Sequence, residues 1–279
     1  MTIPYAISVG IADVRCDPSP SSELVTQALM NVRATADTIT DEWTHVTLPD
    51  YTGWVRTNEL ADPIERGFCK VGEGCATPLD LVAVVTVPHT SLYTNATKDE
   101  IMGKIYLSTV LPLLDTTHHT RLQVALPNKH TGWIARETAS IRRSSEIYPS
   151  ASIDVVTTYA QSFLGRPYLW GGTSWEGIDC SGFVQLCYRM GGNILPRNAD
   201  QQHDALSYNV EREKMQKGDL IFFGRNAITH VGLALNHQEY IHAEGQNHHH
   251  ILTNSFDPTS PRYDQRLCEI VRAIKRVRP

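Results

Sequence analysis

The chain has 279 residues, 41% of them hydrophobic and 20% charged, the composition of an ordinary globular protein with room for two or three domains. Its formal net charge is only -5, with 12 basic against 16 acidic residues up to Arg143 and 13 against 14 after it, so neither part carries the basic surplus of a nucleic-acid binder. No stretch reaches the roughly 18 apolar residues of a bilayer span, and the opening MTIPYAISVGIADVRC lacks a basic segment leading into a long apolar run, so a soluble chain is expected and its compartment stays open.

The first element is a repeat. LPDYTGWVR at 48–56 returns as LPNKHTGWIAR at 126–136, each after apolar alternation through Val46 and Leu48, then Val124 and Leu126. Short alternating segments broken by Pro, Asp, Asn and Gly turns suit two small closed β barrels, expected over residues 1–62 and 78–143. Between them, 63–77 reads as a linker, without periodicity and rich in glycine. It holds Cys69 and Cys75 of the six cysteines, which either close a short loop or stand as two loop thiols.

A third region is expected over 144–279. SIDVVTTYAQSFLG predicts a helix from the spacing of Ile153, Val156, Tyr159, Ala160 and Phe163, with Ser152 as N-cap and Gly165 as stop. A second helix is expected from Cys180, with Phe183, Val184, Cys187 and Met190 on one face and Gly191 and Gly192 ending it. Three strands follow, DLIFFG at 219–224, HVGLAL at 230–235 and EYIHAEG at 239–245, and EIVRAIKRVR supplies a last one. Helices followed by an antiparallel sheet give an α+β fold.

Chemistry enters at IDCSGFVQLC. A thiol at a helix start lies among unpaired N–H groups that favour thiolate, and the N–H of Ser181 is free there to hold an oxyanion. Cys180 is therefore a candidate nucleophile, although residue type alone fits a buried helix cysteine, the reading kept for Cys187. His230, at the mouth of a strand, is the candidate base, and His242 on the next strand falls roughly opposite it. Two strand histidines with satisfied hydrogen bonds would fit these positions as well. The HHH run at 248–250 has no CxxC or HExxH partner and reads as solvated loop, while GRPYLWGGTSWEG has neither the preceding strand nor the lysine of a phosphate loop.

Taken together, RPYLWGGTSWEGIDCSGFVQLCYRMGGNILPRNADQQ, KGDLIFFG, ITHVGLAL and YIHAEG resemble the NlpC-type cell-wall peptidases, papain-like enzymes that cut peptidoglycan stem peptides. The two TGW elements resemble bacterial SH3-like domains. The resemblance implies a papain-like catalytic domain behind two SH3-like barrels, with Cys180 as nucleophile, His230 as general base and His242 as ring-orienting residue. It also implies that Asp179 and Ser181 line the substrate site, the carboxylate meeting a free amine, and that the Tyr168 hydroxyl faces the thiolate. Asn198 departs from the usual Pro-Arg-Thr.

The implied bond joins D-isoglutamate to meso-diaminopimelate or L-lysine, with no cofactor and no metal. The implied partner is peptidoglycan or its muropeptides, met by a monomer with no membrane span and no nucleic acid. That substrate favours a secreted or surface enzyme, with cytoplasmic muropeptide processing as the alternative. The SH3-like domains would either bind wall material or bound the groove. A wall-binding adaptor that does not cut, and an acyltransferase or amidase on the same fold, are the competing readings.

Overall fold

The computed structural model describes residues 3–64 and 80–277, and the chain divides into two compact units, Met1–Ile147 and Tyr148–Pro279. Cys69 and Cys75 lie outside the described residues.

The first unit holds two seven-stranded sheets. One runs from Ile3–Ile7 through Ile11–Arg15, Leu24–Leu29, Arg33–Ile39, Trp43–Thr47 and Thr52–Arg56 to Leu60–Ala61. The other comprises Leu81–Val85, His89–Tyr93, Ile101–Tyr106, Val110–Asp115, Arg121–Leu126, His130–Ala135 and Ala139–Arg143. Counted along the chain, both sheets place their strands third, second, sixth, fifth, fourth, first, seventh. The TGW repeat is thus the local trace of a repeated topology. Trp54 pairs with Arg15 and Trp133 with Tyr93, the same sixth-to-second bridge in each. Period-2 alternation turns Gly53 and Val55, then Gly132 and Ile134, into the interior. The glycine is needed there: a Cβ on Gly53 would lie 2.8 Å from the Arg15 carbonyl, and one on Gly132 2.7 Å from Leu92.

The first core is small-residue rich, with Ala12, Ala28, Ala34 and Ala36 around Ile7, Val14, Val46 and Val55. The second is built from Leu92, Ile105, Leu111, Leu113, Leu122, Val124 and Ile134, and Met30, in the turn after the strand Leu24–Leu29, joins it. Asn31 donates to the Val110 carbonyl at 2.9 Å beside that crossing.

In the second unit, helix α1 spans Ile153–Ser162 and helix α2 Cys180–Met190. Both end as the glycines predict, with Gly165 and Gly192 at positive φ. Every α2 residue but Arg189 is buried, so α2 is a central rod rather than a surface helix. The antiparallel sheet consists of β1 (Leu220–Phe223), β2 (His230–Ala234), β3 (Glu239–Glu244), β4 (His250–Ser255) and β5 (Val271–Lys275), ordered β4-β3-β2-β1-β5. Four of its strands match the predicted segments; β4 does not, nor do the short helices α3 (Ala199–Ala205) and α4 (Gln265–Glu269). Because α2 packs against β2 and β3, the start of α2 and the histidine-bearing strands converge. This α+β unit follows the two β sheets of the first unit. No described helix is long and apolar enough to cross a membrane.

Candidate active site

Asp179 is the N-cap of α2, its Oδ1 accepting the Gly182 N–H at 2.7 Å. A carboxylate suits that place because it satisfies an orphan N–H and meets the positive end of the helix dipole. Arg197, only 1% exposed, forks onto the same carboxylate, Nη1 to Oδ1 at 3.0 Å and Nη2 to Oδ2 at 2.5 Å. The Gly171 N–H donates to Oδ2 at 3.0 Å. Ser181 accepts from Arg197 Nη1 at 3.0 Å and donates to Asp179 Oδ1 at 3.2 Å. Asp179, Ser181 and Arg197 therefore form one buried, charged clamp.

Cys180 opens the helix behind this clamp and is 7% exposed. Burial pushes its thiol up to about 12, and the neighbouring Asp179 charge adds to the rise. The backbone N–H groups of Val231 and Ser181 and the Arg197 charge oppose it without prevailing. The resting group is a thiol, so the helix-start expectation of a lowered pKa is corrected: desolvation outweighs the N–H groups that the sequence placed there. Val231 follows His230 directly, so its bond to the sulfur seats Cys180 beside that residue.

His230 begins β2 and is half-buried, while His242 on β3 is wholly buried. The register through Leu233–Ile241 and Ala234–Tyr240 puts the two on one face as diagonal rather than opposite neighbours. Their rings meet edge to face, with His230 Nε2 at 2.8 Å from His242 Nδ1. Burial, then the partner ring and Arg266, holds His230 well below the usual histidine range. Burial likewise lowers His242 to about 4, against the opposing pull of Asn254, Glu244 and Asp264. Asn254 of β4 meets His242 Nε2 at 2.7 Å.

Tyr168 stands on the third side. Its N–H donates to the His249 carbonyl at 2.8 Å, and its ring lies on Gly245, where a Cβ would fall 2.6 Å from the ring carbons. Burial raises its phenol well above the ordinary tyrosine value, and the nearby Asp179 carboxylate adds to this, so the hydroxyl remains a donor. Glu244 shapes the loop beneath, its carboxylate accepting the N–H groups of Gln246, Asn247 and His248 at 3.0, 2.8 and 2.7 Å. Burial tends to raise the Glu244 carboxyl, but these three bonds and Arg266 hold it below the usual range.

The six residues singled out in the sequence, Tyr168, Asp179, Cys180, Ser181, His230 and His242, are thus arranged around the start of α2 and strands β2 and β3. Arg197, Glu244 and Asn254 were not singled out. Arg197 lies in the quoted ILPRN stretch, and Glu244 in YIHAEG, where a buried strand end hides its role. Asn254 sits on the unpredicted strand. Among the described residues no group of three or more His, Cys, Asp or Glu side chains is placed to hold a metal ion.

Three families match successive parts of the chain: a bacterial dipeptidyl-peptidase SH3 domain over residues 14–60, the YKFC SH3b2 domain over 85–141 and the NlpC/P60 family over 165–272. A gamma-D-glutamyl-L-lysine dipeptidyl-peptidase of Bacillus cereus is 30% identical over 244 residues, 80% of this chain and 68% of the relative. Its namesake in Bacillus subtilis is 28% identical, covering 94% of this chain and 85% of the relative. Dipeptidyl-peptidase 6 of Lysinibacillus sphaericus is 27% identical over 95% of this chain and 96% of its own length. The crystal structure of an NlpC/P60 family protein from Bacillus cereus superposes with a TM-score of 0.84 at 24% identity, covering 99% of this chain and all of that one, which speaks for the fold.

Proposed function

The chain belongs to the NlpC/P60 family of cysteine peptidases and carries two SH3b-type domains ahead of its catalytic domain, and from that premise we propose that it cleaves peptidoglycan stem peptides between D-γ-glutamate and the following diamino acid. The dipeptidyl-peptidase relatives support L-lysine at that position, with meso-diaminopimelate as the alternative. We divide the chain as SH3-like domain 1–62, linker 63–77, SH3-like domain 78–143 and catalytic domain 144–279.

One observation carries the reading: the Cys180 sulfur is bonded by the N–H of the residue after His230, whose ring is in turn bonded to His242. In this scheme His230 takes the thiol proton as the sulfur attacks the scissile carbonyl. The oxyanion is met by the Ser181 N–H at the helix start and the Tyr168 hydroxyl. His230 then returns the proton to the leaving amine of the diamino acid, and water releases the acyl group from sulfur. Because burial makes Cys180 a thiol at rest, proton transfer accompanies attack instead of preceding it.

Asp179 also has a part at the helix start, besides the place in the substrate site that the resemblance implies. Gly171, Ser181 and Gly182 give its carboxylate one bond each and Arg197 two, five in all, against the roughly four lone-pair positions a carboxylate offers. That arrangement supports a role in capping α2 and seating Arg197.

Mass spectrometry of products from the tripeptide L-alanyl-D-γ-glutamyl-diamino acid tests the function. The wild type should release L-alanyl-D-glutamate and the free diamino acid, and Cys180→Ala should lose about four to six orders of magnitude in rate. Full activity in Cys180→Ala would remove the thiol mechanism; binding to insoluble peptidoglycan without products would favour the adaptor.

A further inference from the structure

The hydrogen-bonded row on the sheet does not stop at His242. Asn254 is 8% exposed and bonds in two directions, its Oδ1 facing His242 Nε2 at 2.7 Å and its Nδ2 donating to the Arg262 carbonyl at 2.8 Å. The second bond fixes the amide's orientation, because only the NH2 end can donate to a carbonyl. An acceptor therefore faces His242, and His242 Nε2 must carry the proton. A neutral imidazole has one ring proton, so His242 Nδ1 is an acceptor, and its 2.8 Å contact with His230 requires the proton on His230 Nε2. His230 Nδ1 is left bare, with the lone pair a general base needs.

We propose that Asn254 is a positioning residue for the peptidase reaction, holding His242 and His230 in the single pair of tautomers that leaves His230 Nδ1 open to the Cys180 proton. The proposal rests on reading His230 as the base for Cys180. Burial keeps both rings neutral at rest, which makes the choice of tautomer decisive. The arrangement also survives the reaction: once His230 Nδ1 has gained the proton, its Nε2–H still donates to His242, and no ring need turn.

The strand places Asn254 for this work. In the β3–β4 ladder it stands opposite Tyr240, one step diagonal from His242 on the same face. The Tyr240 ring lies 5.3 Å from the His242 ring and confines its plane. The charged groups acting on the pair are Glu244 on β3 with Asp264 and Arg266 at the start of α4, all of which Asn254 variants would leave in place.

Asn254→Ala and Asn254→Asp in the full chain, read by imidazole ¹⁵N NMR and by kinetics on the tripeptide, test the proposal. In the wild type His230 and His242 should both show protonated Nε2 and bare Nδ1. Asn254→Ala should shift part of His242 to the Nδ1–H form and lower kcat about 10- to 100-fold with KM nearly unchanged, as loss of an outer-shell orienting group does. Asn254→Asp keeps the shape and sets a negative charge beside His242, which favours the protonated rings. The acid limb of kcat/KM should therefore move up by about one pH unit, and this variant carries the test if the alanine variant does not fold. A wild-type His242 protonated at Nδ1, unchanged tautomers in Asn254→Ala, or an unmoved acid limb in Asn254→Asp would each overturn the proposal, the second even if kcat falls. His230→Ala is the control: if it keeps activity, the peptidase reading of the site fails instead, whatever Asn254 does.

Discussion

Two walls enclose Cys180, and they answer the cost of burial in opposite ways. On the helix side, Asp179 and Arg197 are buried as charges and survive because they are bidentate to each other and bonded to Ser181 and the backbone. On the sheet side, His230 is half-buried and His242 wholly buried, and both stay neutral, linked by hydrogen bonds alone. The difference separates frame from reagent. The clamp's charges are fixed and define where α2 begins; the sheet side holds its charge back until the thiol gives up a proton, which is when an imidazolium is useful.

Breaking the clamp should give the largest loss of stability. Arg197→Met removes the fork and leaves Asp179 buried without a counter-charge, a defect worth about 3–5 kcal/mol. Urea unfolding followed by tryptophan fluorescence measures it, and Asp179→Asn in the same chain should recover part of the loss by removing the orphaned charge. If Arg197→Met costs no more than an exposed ion pair would, the clamp is not the frame of the helix start.

The sheet side should instead be broken by acid. His242 titrates at about 4 in the folded chain against an ordinary value near 6.5, so the unfolded chain binds more protons between those limits. Its contribution is fully present above about pH 6.5 and is lost as pH falls toward 4, a total of about 3 kcal/mol at roughly 1.4 kcal/mol per pKa unit. His230, also depressed by burial, acts with the same sign. Unfolding free energies measured between pH 7.5 and 4 should therefore slope downward, and His242→Gln should flatten the slope. An unchanged slope would mean that the pair does not stay neutral in the folded state.

The same contrast governs what could be read in advance. Cys180 and His230 were legible because each sits at the end of an element whose periodicity is local, a helix face and a strand mouth. The two barrels were legible through TGW, since the inward glycine and outward tryptophan recur where the strand order recurs. Arg197 carries no local signal, because its partner lies eighteen residues away and only folding brings the fork to Asp179. Asn254 is not legible in sequence, because β4 follows a run of polar histidines and shows little alternation of its own. The direction of the thiol's pKa is hidden for the same physical reason: a helix N-terminus can be read from sequence, but the desolvation that outweighs it cannot.

The smallest effect should come from the other cysteine of α2, and it tests whether the helix is a frame or a participant. Cys187 lies seven residues beyond Cys180, nearly two turns along the same face, wholly buried, and burial alone raises its thiol. Cys187→Ala removes one buried sulfur and should cost about 1–2 kcal/mol in unfolding, while kcat/KM on the tripeptide stays within about twofold. Of the two α2 cysteines, alkylation by iodoacetamide at pH 8, located by peptide mapping, should fall on Cys180 and spare Cys187, because only Cys180 keeps some exposure and lies near the base. A marked loss of kcat/KM in Cys187→Ala would show that packing beneath the first turn sets the position of the sulfur, and that the rigidity credited to the clamp is shared along the helix.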